Sequence, residues 1–190
     1  MTRLAVVPGF ELQFRPEAIE PLAARFGYTE DAACQAAGAA ARARGHYTRE
    51  EFLTVCEWKT SRSRPKTRRN DAAAVERATR GALGASDERE RMEALLALEG
   101  VGVPTASTLL HFAFPGEYPI LDVRALQSLG QKPRSVYPVD YWLGYLQACR
   151  DLARRHAVSI RTLDKALWQH SKERSAAAGP QVTGTPPTSR

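Results

Sequence analysis

The segment Leu98-Glu99-Gly100-Val101-Gly102-Val103-Pro104-Thr105-Ala106 constrains this chain more than any other. It comes after an apolar face at helical spacing, Met92, Leu95, Leu96 and Leu98, and it leads into a second apolar run that ends at Phe114. Glycine reaches backbone angles closed to other residues, so the chain can reverse here between two packed helices. Proline suits the first turn of the second helix, where its missing amide would have no partner. The pattern predicts a helix, a tight turn and a second helix from Pro104 to Phe114, the whole hairpin covering about 95–114. Backbone N–H groups at the start of that second helix have no partner within it, and with the helix dipole they form a seat for phosphate. Gly100, Val101, Gly102 and Thr105 are therefore candidate DNA contacts.

Charge points the same way. The chain of 190 residues carries a net charge of +6 and has a pI near 9.5, which favours an acidic partner such as nucleic acid. Between Trp58 and Asn70 lie Lys59, Arg62, Arg64, Lys66, Arg68 and Arg69 with no acid among them, and elsewhere bases and acids balance. The serines, threonines and proline among those charges predict a loop able to close on a DNA backbone, or else a solvated loop without a partner. An aromatic beside a cation, Trp58-Lys59, suits stacking on an extruded base and reading its edge; core packing of Trp58 with Lys59 in water is the other reading.

The hairpin and the segment after it resemble the helix-hairpin-helix DNA glycosylases, the superfamily that includes endonuclease III. Its Leu-x-Gly-Val-Gly-x-x-Thr-Ala pattern is matched by Leu98 to Ala106, and Asp122 lies at the distance the family keeps for its catalytic acid. The match runs from Leu95 to Gly130 and departs in two places. Val123-Arg124 stands where members carry Thr-His, and Pro104 occupies the slot of the lysine nucleophile of bifunctional members. The resemblance implies an all-α, two-lobed helical bundle with the hairpin and a cleft between lobes. It also implies that Asp122 is the catalytic carboxylate and that no lyase chemistry runs through the hairpin. A carboxylate beside the anomeric carbon stabilises the positive charge that develops on the sugar as an N-glycosidic bond breaks. Asp122 equally suits the N-cap of a helix running to Leu129, and one residue can do both. Lys59 replaces the missing lysine only if folding brings it beside Asp122.

The remainder reads as short helices. Pro16 opens one that Gly27 closes, and an alanine-rich helix runs from Thr29 to about Arg44. Thr48 with Glu51 forms a capping box for a helix ending near Lys59. Asn70 and Ser86 are candidate caps of the next two, and Ser159 of the last, which carries Leu163, Ala166, Leu167 and Trp168. Tyr137, Tyr141, Trp142 and Tyr145 fall on a helix from about Val139 to His156; Tyr141 and Trp142 are candidates for the base pocket, core packing being the alternative for all four and for Trp168. Residues 1–174 are expected to form one interwoven helical domain, and 175–190, rich in Ala, Gly, Pro, Thr and Ser, a disordered tail.

Cys34, Cys56 and Cys149 lie far apart and read as buried thiols of a reducing compartment, without the four clustered cysteines of an iron–sulfur site. The four histidines show no metal-ligand spacing. No metal and no cofactor is expected. No apolar run is long enough to span a bilayer, and the apolar part of the N-terminus is too short for a signal peptide. A cytoplasmic, nucleoid-associated monomer bound to double-stranded DNA is the expectation. Its leading function is base-excision repair as a monofunctional DNA glycosylase, a hydrolase for a damaged or mispaired base. A non-catalytic DNA binder with the same fold is the alternative, and a helical interaction module the third. Uracil, 8-oxoguanine, alkylated purines and mismatched thymine are all compatible with these motifs.

Overall fold

The computed structural model describes residues 9–27 and 32–177. Within them the chain is all-helical, with no strand. The helices are α1 (Ile19–Ala24), α2 (Ala32–Arg44), α3 (Arg49–Lys59), α4 (Arg64–Thr67), α5 (Ala72–Gly84), α6 (Glu88–Leu96), α7 (Val103–Ala113), α8 (Val123–Ser128), α9 (Val139–Arg155) and α10 (Ile160–Ala177), and single 3-10 turns precede α1 and α4. Thr29, the expected start of α2, lies outside the described residues. So does the expected tail from 178 onward, whereas Ser175 to Ala177 continue α10.

Local chemistry accounts for the boundaries. Thr48 and Glu51 form the capping box, with Glu51 N donating to Thr48 Oγ1 at 3.2 Å and Thr48 N to Glu51 Oε2 at 2.8 Å. Two expected caps are off by one residue. Asp71, not Asn70, caps α5 by accepting from Ala74 N, and Asp87, not Ser86, caps α6 by accepting from Arg89 N and Glu90 N. A carboxylate at the N-cap also meets the positive end of the helix dipole, which a neutral amide or hydroxyl does less well.

Helix α7 is the centre of the molecule: every residue from Val103 to Ala113 except Pro104 is buried. It packs against α2, α3 and α6, while α10 packs against α1, α8 and α9. One contiguous apolar core joins both groups, from Phe10 and Leu22 through Tyr47, Phe52 and Leu109 to Trp142 and Leu167. All three cysteines are free and buried, as expected.

Two glycines set close approaches. At Gly38 an added Cβ would stand 2.1 Å from the Phe112 carbonyl oxygen, so α2 crosses α7 with its bare backbone against the backbone of Phe112. Gly100 has φ +76°, and a Cβ there would meet Lys66 Cβ at 2.7 Å and the Thr67 amide at 2.9 Å. The partner glycine differs from expectation. Gly102 has φ −102°, an extended angle open to any residue, with nothing nearer to an added Cβ than Pro104 Cδ at 3.8 Å. Only one glycine of the pair thus makes the reversal.

Glycine-to-alanine substitutions should therefore split in sign. Gly38→Ala lowers unfolding stability by about 1–3 kcal/mol or more, because backbone must move to admit the methyl group. Gly81→Ala, whose added Cβ meets only Ala94 Cβ at 3.7 Å inside α5, raises it by about 0.5–1 kcal/mol. Urea midpoints of the two variants against the parent check the pair.

Candidate functional site

Asp122 lies at the N-cap of α8, its Oδ1 accepting from Ala125 N at 2.8 Å, so the capping role is real. The backbone leading to it is held by side chains from four helices. His111 of α7 bonds through Nδ1 to Tyr118 O at 2.7 Å. Asp164 of α10 accepts from Ile120 N at 3.0 Å through Oδ1, and Tyr145 of α9 donates to Ile120 O at 2.8 Å. Ser107 of α7 accepts from Leu121 N at 3.0 Å, and Lys59 at the end of α3 donates from Nζ to Leu121 O at 3.2 Å. Lys59, distant from Asp122 in sequence, is thereby fixed to the carbonyl of the residue before it.

Two cavities meet at this point. One of about 350 Å³ is lined by Phe26, Trp58, Lys59, Ile120, Asp122, Val123, Arg124, Arg161, Asp164 and Trp168. The other, of about 270 Å³, is lined by Lys59, Thr60, Arg62, Pro104, Thr105, Asp122, Val123 and Tyr137. Lys59 and Asp122 belong to both. A larger cavity of about 600 Å³ beside Gln35, Arg42 and Phe112 has no carboxylate in its lining, and neither has one of about 420 Å³ beside Lys132, His170 and Arg174. Aromatic walls with few convergent charged groups are what a pocket for a flat organic ligand needs, and only the first cavity combines them.

Ionisation in this pocket is strongly biased. Burial pushes Lys59 below its ordinary value of 10.5, against the pull of the Asp122 and Asp164 charges. Burial pushes Asp122 above 3.8, opposed by the Lys59 ammonium and the Ala125 amide and reinforced by Asp164. Asp164 is also raised by burial, and Arg161, the Ile120 amide and Lys59 resist the rise; Arg161 Nη1 lies 2.8 Å from Asp164 Oδ2. Perturbed groups gathered in one cavity are a mark of functional sites. Cys56 and Cys149 carry no such chemistry, since burial pushes both thiols up, away from the reactive thiolate. Among the described residues no three of His, Cys, Asp and Glu gather as metal ligands, and no helix is long and apolar enough to cross a membrane.

The other expected site residues separate into those gathered here and those elsewhere. Trp58 lines the pocket, edge-on to Phe112 with ring centroids 5.1 Å apart. Tyr141 and Trp142 do not. Trp142 is fully buried and stacked on Tyr118, and Tyr141 packs against Phe10 and Tyr137 beneath Arg134. Both sit on the apolar face of α9, which turns inward to the core rather than toward Asp122. Trp168, expected in the core, instead lines the pocket, with Arg124 and Lys172 over its ring. Phe26, Arg161 and Asp164 had no motif to mark them. One signal was legible for Asp164: a carboxylate inside the apolar stripe Leu163, Ala166 and Leu167.

The basic segment is not an open loop. Ser61–Ser63 and Arg64–Thr67 are helical, and Asn70 fastens the segment to the glycine turn, its Nδ2 donating to Glu99 O and its Oδ1 accepting from Glu99 N, both at 2.9 Å. Arg64 and Arg68 pair with Glu57, and Arg69 with Glu99. Arg62 and Lys66 have no carboxylate partner among the described residues. Lys66 abuts Gly100, and Arg62 shares the smaller cavity with Pro104 and Thr105. The unneutralised charge thus collects at the start of α7. There Gly102 offers no side-chain cap and Pro104 no amide, leaving Val103 and Thr105 N–H without helical partners. No family model, curated protein or solved structure matches the chain.

The coupling of Lys59 to the acids has a measurable sign. Because its folded pKa lies below 10.5, the folded chain binds fewer protons than the unfolded one in the alkaline window between the two values. Stability from this group therefore rises with pH across that window. Asp122 and Asp164, raised above 3.8, act oppositely: their contribution is present in acid and is lost as pH climbs through their folded values. Asp122→Asn removes the charge that most supports the ammonium, so it lowers the Lys59 pKa further. Competitive acetylation of Lys59 across pH reads this directly, and an unchanged or raised value in the variant contradicts the arrangement.

Proposed function

We propose that this chain is a divergent helix-hairpin-helix DNA glycosylase, hydrolysing the N-glycosidic bond of a damaged or mispaired base with Asp122 as the catalytic carboxylate. One observation carries the reading. The carboxylate and the first turn of α7, separate in sequence, line one cavity that continues into an aromatic-walled pocket. In this reading α6, the Gly100 turn and α7 are the hairpin. Helices α2 to α7 form one lobe, α1 with α8 to α10 the other, and the pocket opens at their junction.

The Val103 and Thr105 amides, with Arg62 and Lys66, hold the phosphate backbone near the lesion. The nucleotide swings out of the stack at a cost of a few kcal/mol, least for weakly paired bases, and its base enters between the walls formed by Trp58, Trp168 and Phe26. As the C1′–N bond breaks, its electron pair leaves with the base and positive charge grows on the sugar. Asp122 stabilises that charge and orients water for attack at C1′, the water's proton passing to the carboxylate. Arg124 and Arg161 supply donors to the acceptor edge of the departing base.

Duplex oligonucleotides carrying a panel of lesions, treated with alkali after incubation, test the reading. Strand breaks appear at one class of lesion, and Asp122→Asn reduces the rate by about 10²–10³ while DNA affinity is retained. Undiminished cleavage in that variant refutes the role of Asp122, whereas salt-dependent binding without cleavage at any lesion favours the non-catalytic binder. Binding itself distinguishes the basic residues. Arg62→Ala and Lys66→Ala each flatten the slope of log affinity against log salt by about 0.9, and Arg64→Ala, already neutralised by Glu57, flattens it less. Gly102→Asp, which the backbone accommodates without a clash, abolishes binding by setting a negative charge at the phosphate seat.

A further inference from the structure

We propose that Lys59 is a nucleophile for the aldehyde of an abasic deoxyribose, giving this chain a strand-nicking β-elimination activity of its own. The inference rests on the DNA-sugar reading of the Asp122 cavity, and it runs against what the resemblance implies, since the family's lysine slot holds Pro104. The geometry supplies an amine from another element. Lys59 ends α3, yet its Nζ is tied to Leu121 O at 3.2 Å and shares both cavities with Asp122. It thus stands between the aromatic pocket that takes the base and the Pro104–Thr105 turn that faces the backbone, where the sugar must lie.

An amine tethered by one N–H to a carbonyl keeps its lone pair for an electrophile once it is neutral. Burial favours that neutral form, and the adjacent acids keep a proton close at hand. The remaining lysines lack this setting: Lys66 flanks the turn, Lys132 lines a cavity without acids, and Lys165 and Lys172 lie over the outer rings Phe26 and Trp168.

The step balances without any redox partner. The Nζ lone pair adds to C1′, the carbinolamine loses water, and an iminium forms. Asp122 takes a proton from C2′, and that C–H pair forms the new C1′=C2′ bond of an enamine as the iminium bond electrons return to nitrogen. The nitrogen pair then expels the C3′ oxygen as phosphate, leaving C2′=C3′. Water hydrolyses the iminium, freeing Lys59 and an unsaturated aldehyde on the 3′ end.

A duplex bearing a pre-formed abasic site, incubated with the full chain and sodium cyanoborohydride, tests this apart from base removal. The expected result is a reduced covalent protein–DNA adduct whose peptide mass maps to Lys59, with nicking that needs no alkali. Lys59→Arg loses both, and mapping in the parent chain makes the assignment independent of that variant's folding. Asp122→Asn still traps but nicks more slowly. Tight binding with no adduct, or an adduct at any other amine, overturns the proposal. An abasic duplex that does not bind overturns it together with the glycosylase reading. An adduct at Lys59 without base release across the lesion panel keeps the lyase and removes the glycosylase.

Discussion

The position of Asp122 depends on a short stretch of backbone, Tyr118 to Leu121, that belongs to no helix and is nevertheless pinned at nearly every polar atom. A buried connection without ladder or helical bonds must find partners elsewhere, at a cost on the order of 1–3 kcal/mol for each group left orphaned. Here the partners are side chains. Asp164 and Ser107 accept from the Ile120 and Leu121 amides, Tyr145 and Lys59 donate to their carbonyls, and His111 holds Tyr118. Those side chains come from α3, α7, α9 and α10, so four helices converge on the carboxylate through the backbone that carries it.

That arrangement gives several residues two tasks. Ser107 also donates to Pro104 O at 2.8 Å, coupling the first turn of α7 to the residue before Asp122. Asp164 holds the Ile120 amide with one oxygen and Arg161 with the other, while its charge supports the Lys59 ammonium. Packing two carboxylates, a lysine and an arginine around one cavity is an unfavourable way to build stability, because desolvation offsets much of the mutual attraction. It is a favourable way to hold charge ready where water is scarce, and groups in low dielectric act more strongly on a cation forming between them.

Much of this was legible in the sequence, and the failures have physical causes. Local signals were reliable where a residue acts on its own backbone: the Thr48 box, the Gly100 reversal and the all-helical pattern all hold. Capping positions slipped by one at Asn70 and Ser86, where an aspartate next door competes for the same amides. The site was half legible. Asp122, Trp58 and Lys59 stood beside recognisable patterns, but Trp168, Phe26 and Asp164 reach the pocket only because α1 and α10 pack together, a contact no local pattern encodes. Tyr141 and Trp142 were misassigned for the converse reason, since aromatic spacing on α9 reports a face without saying which side it meets. Charge counting also overstated the basic segment, whose arginines find Glu57 and Glu99 only in the folded chain.

The central claim is that Asp122 faces a developing positive charge on a deoxyribose. It is tested most directly by comparing two duplexes that differ only at one position, a neutral tetrahydrofuran abasic analogue and a cationic pyrrolidine analogue of the same shape. A site complementary to the charged transition state binds the cationic duplex at least about tenfold more tightly, and Asp122→Asn erases the difference. Equal affinity for the two duplexes in the parent chain, or a preference that survives in Asp122→Asn, contradicts the account.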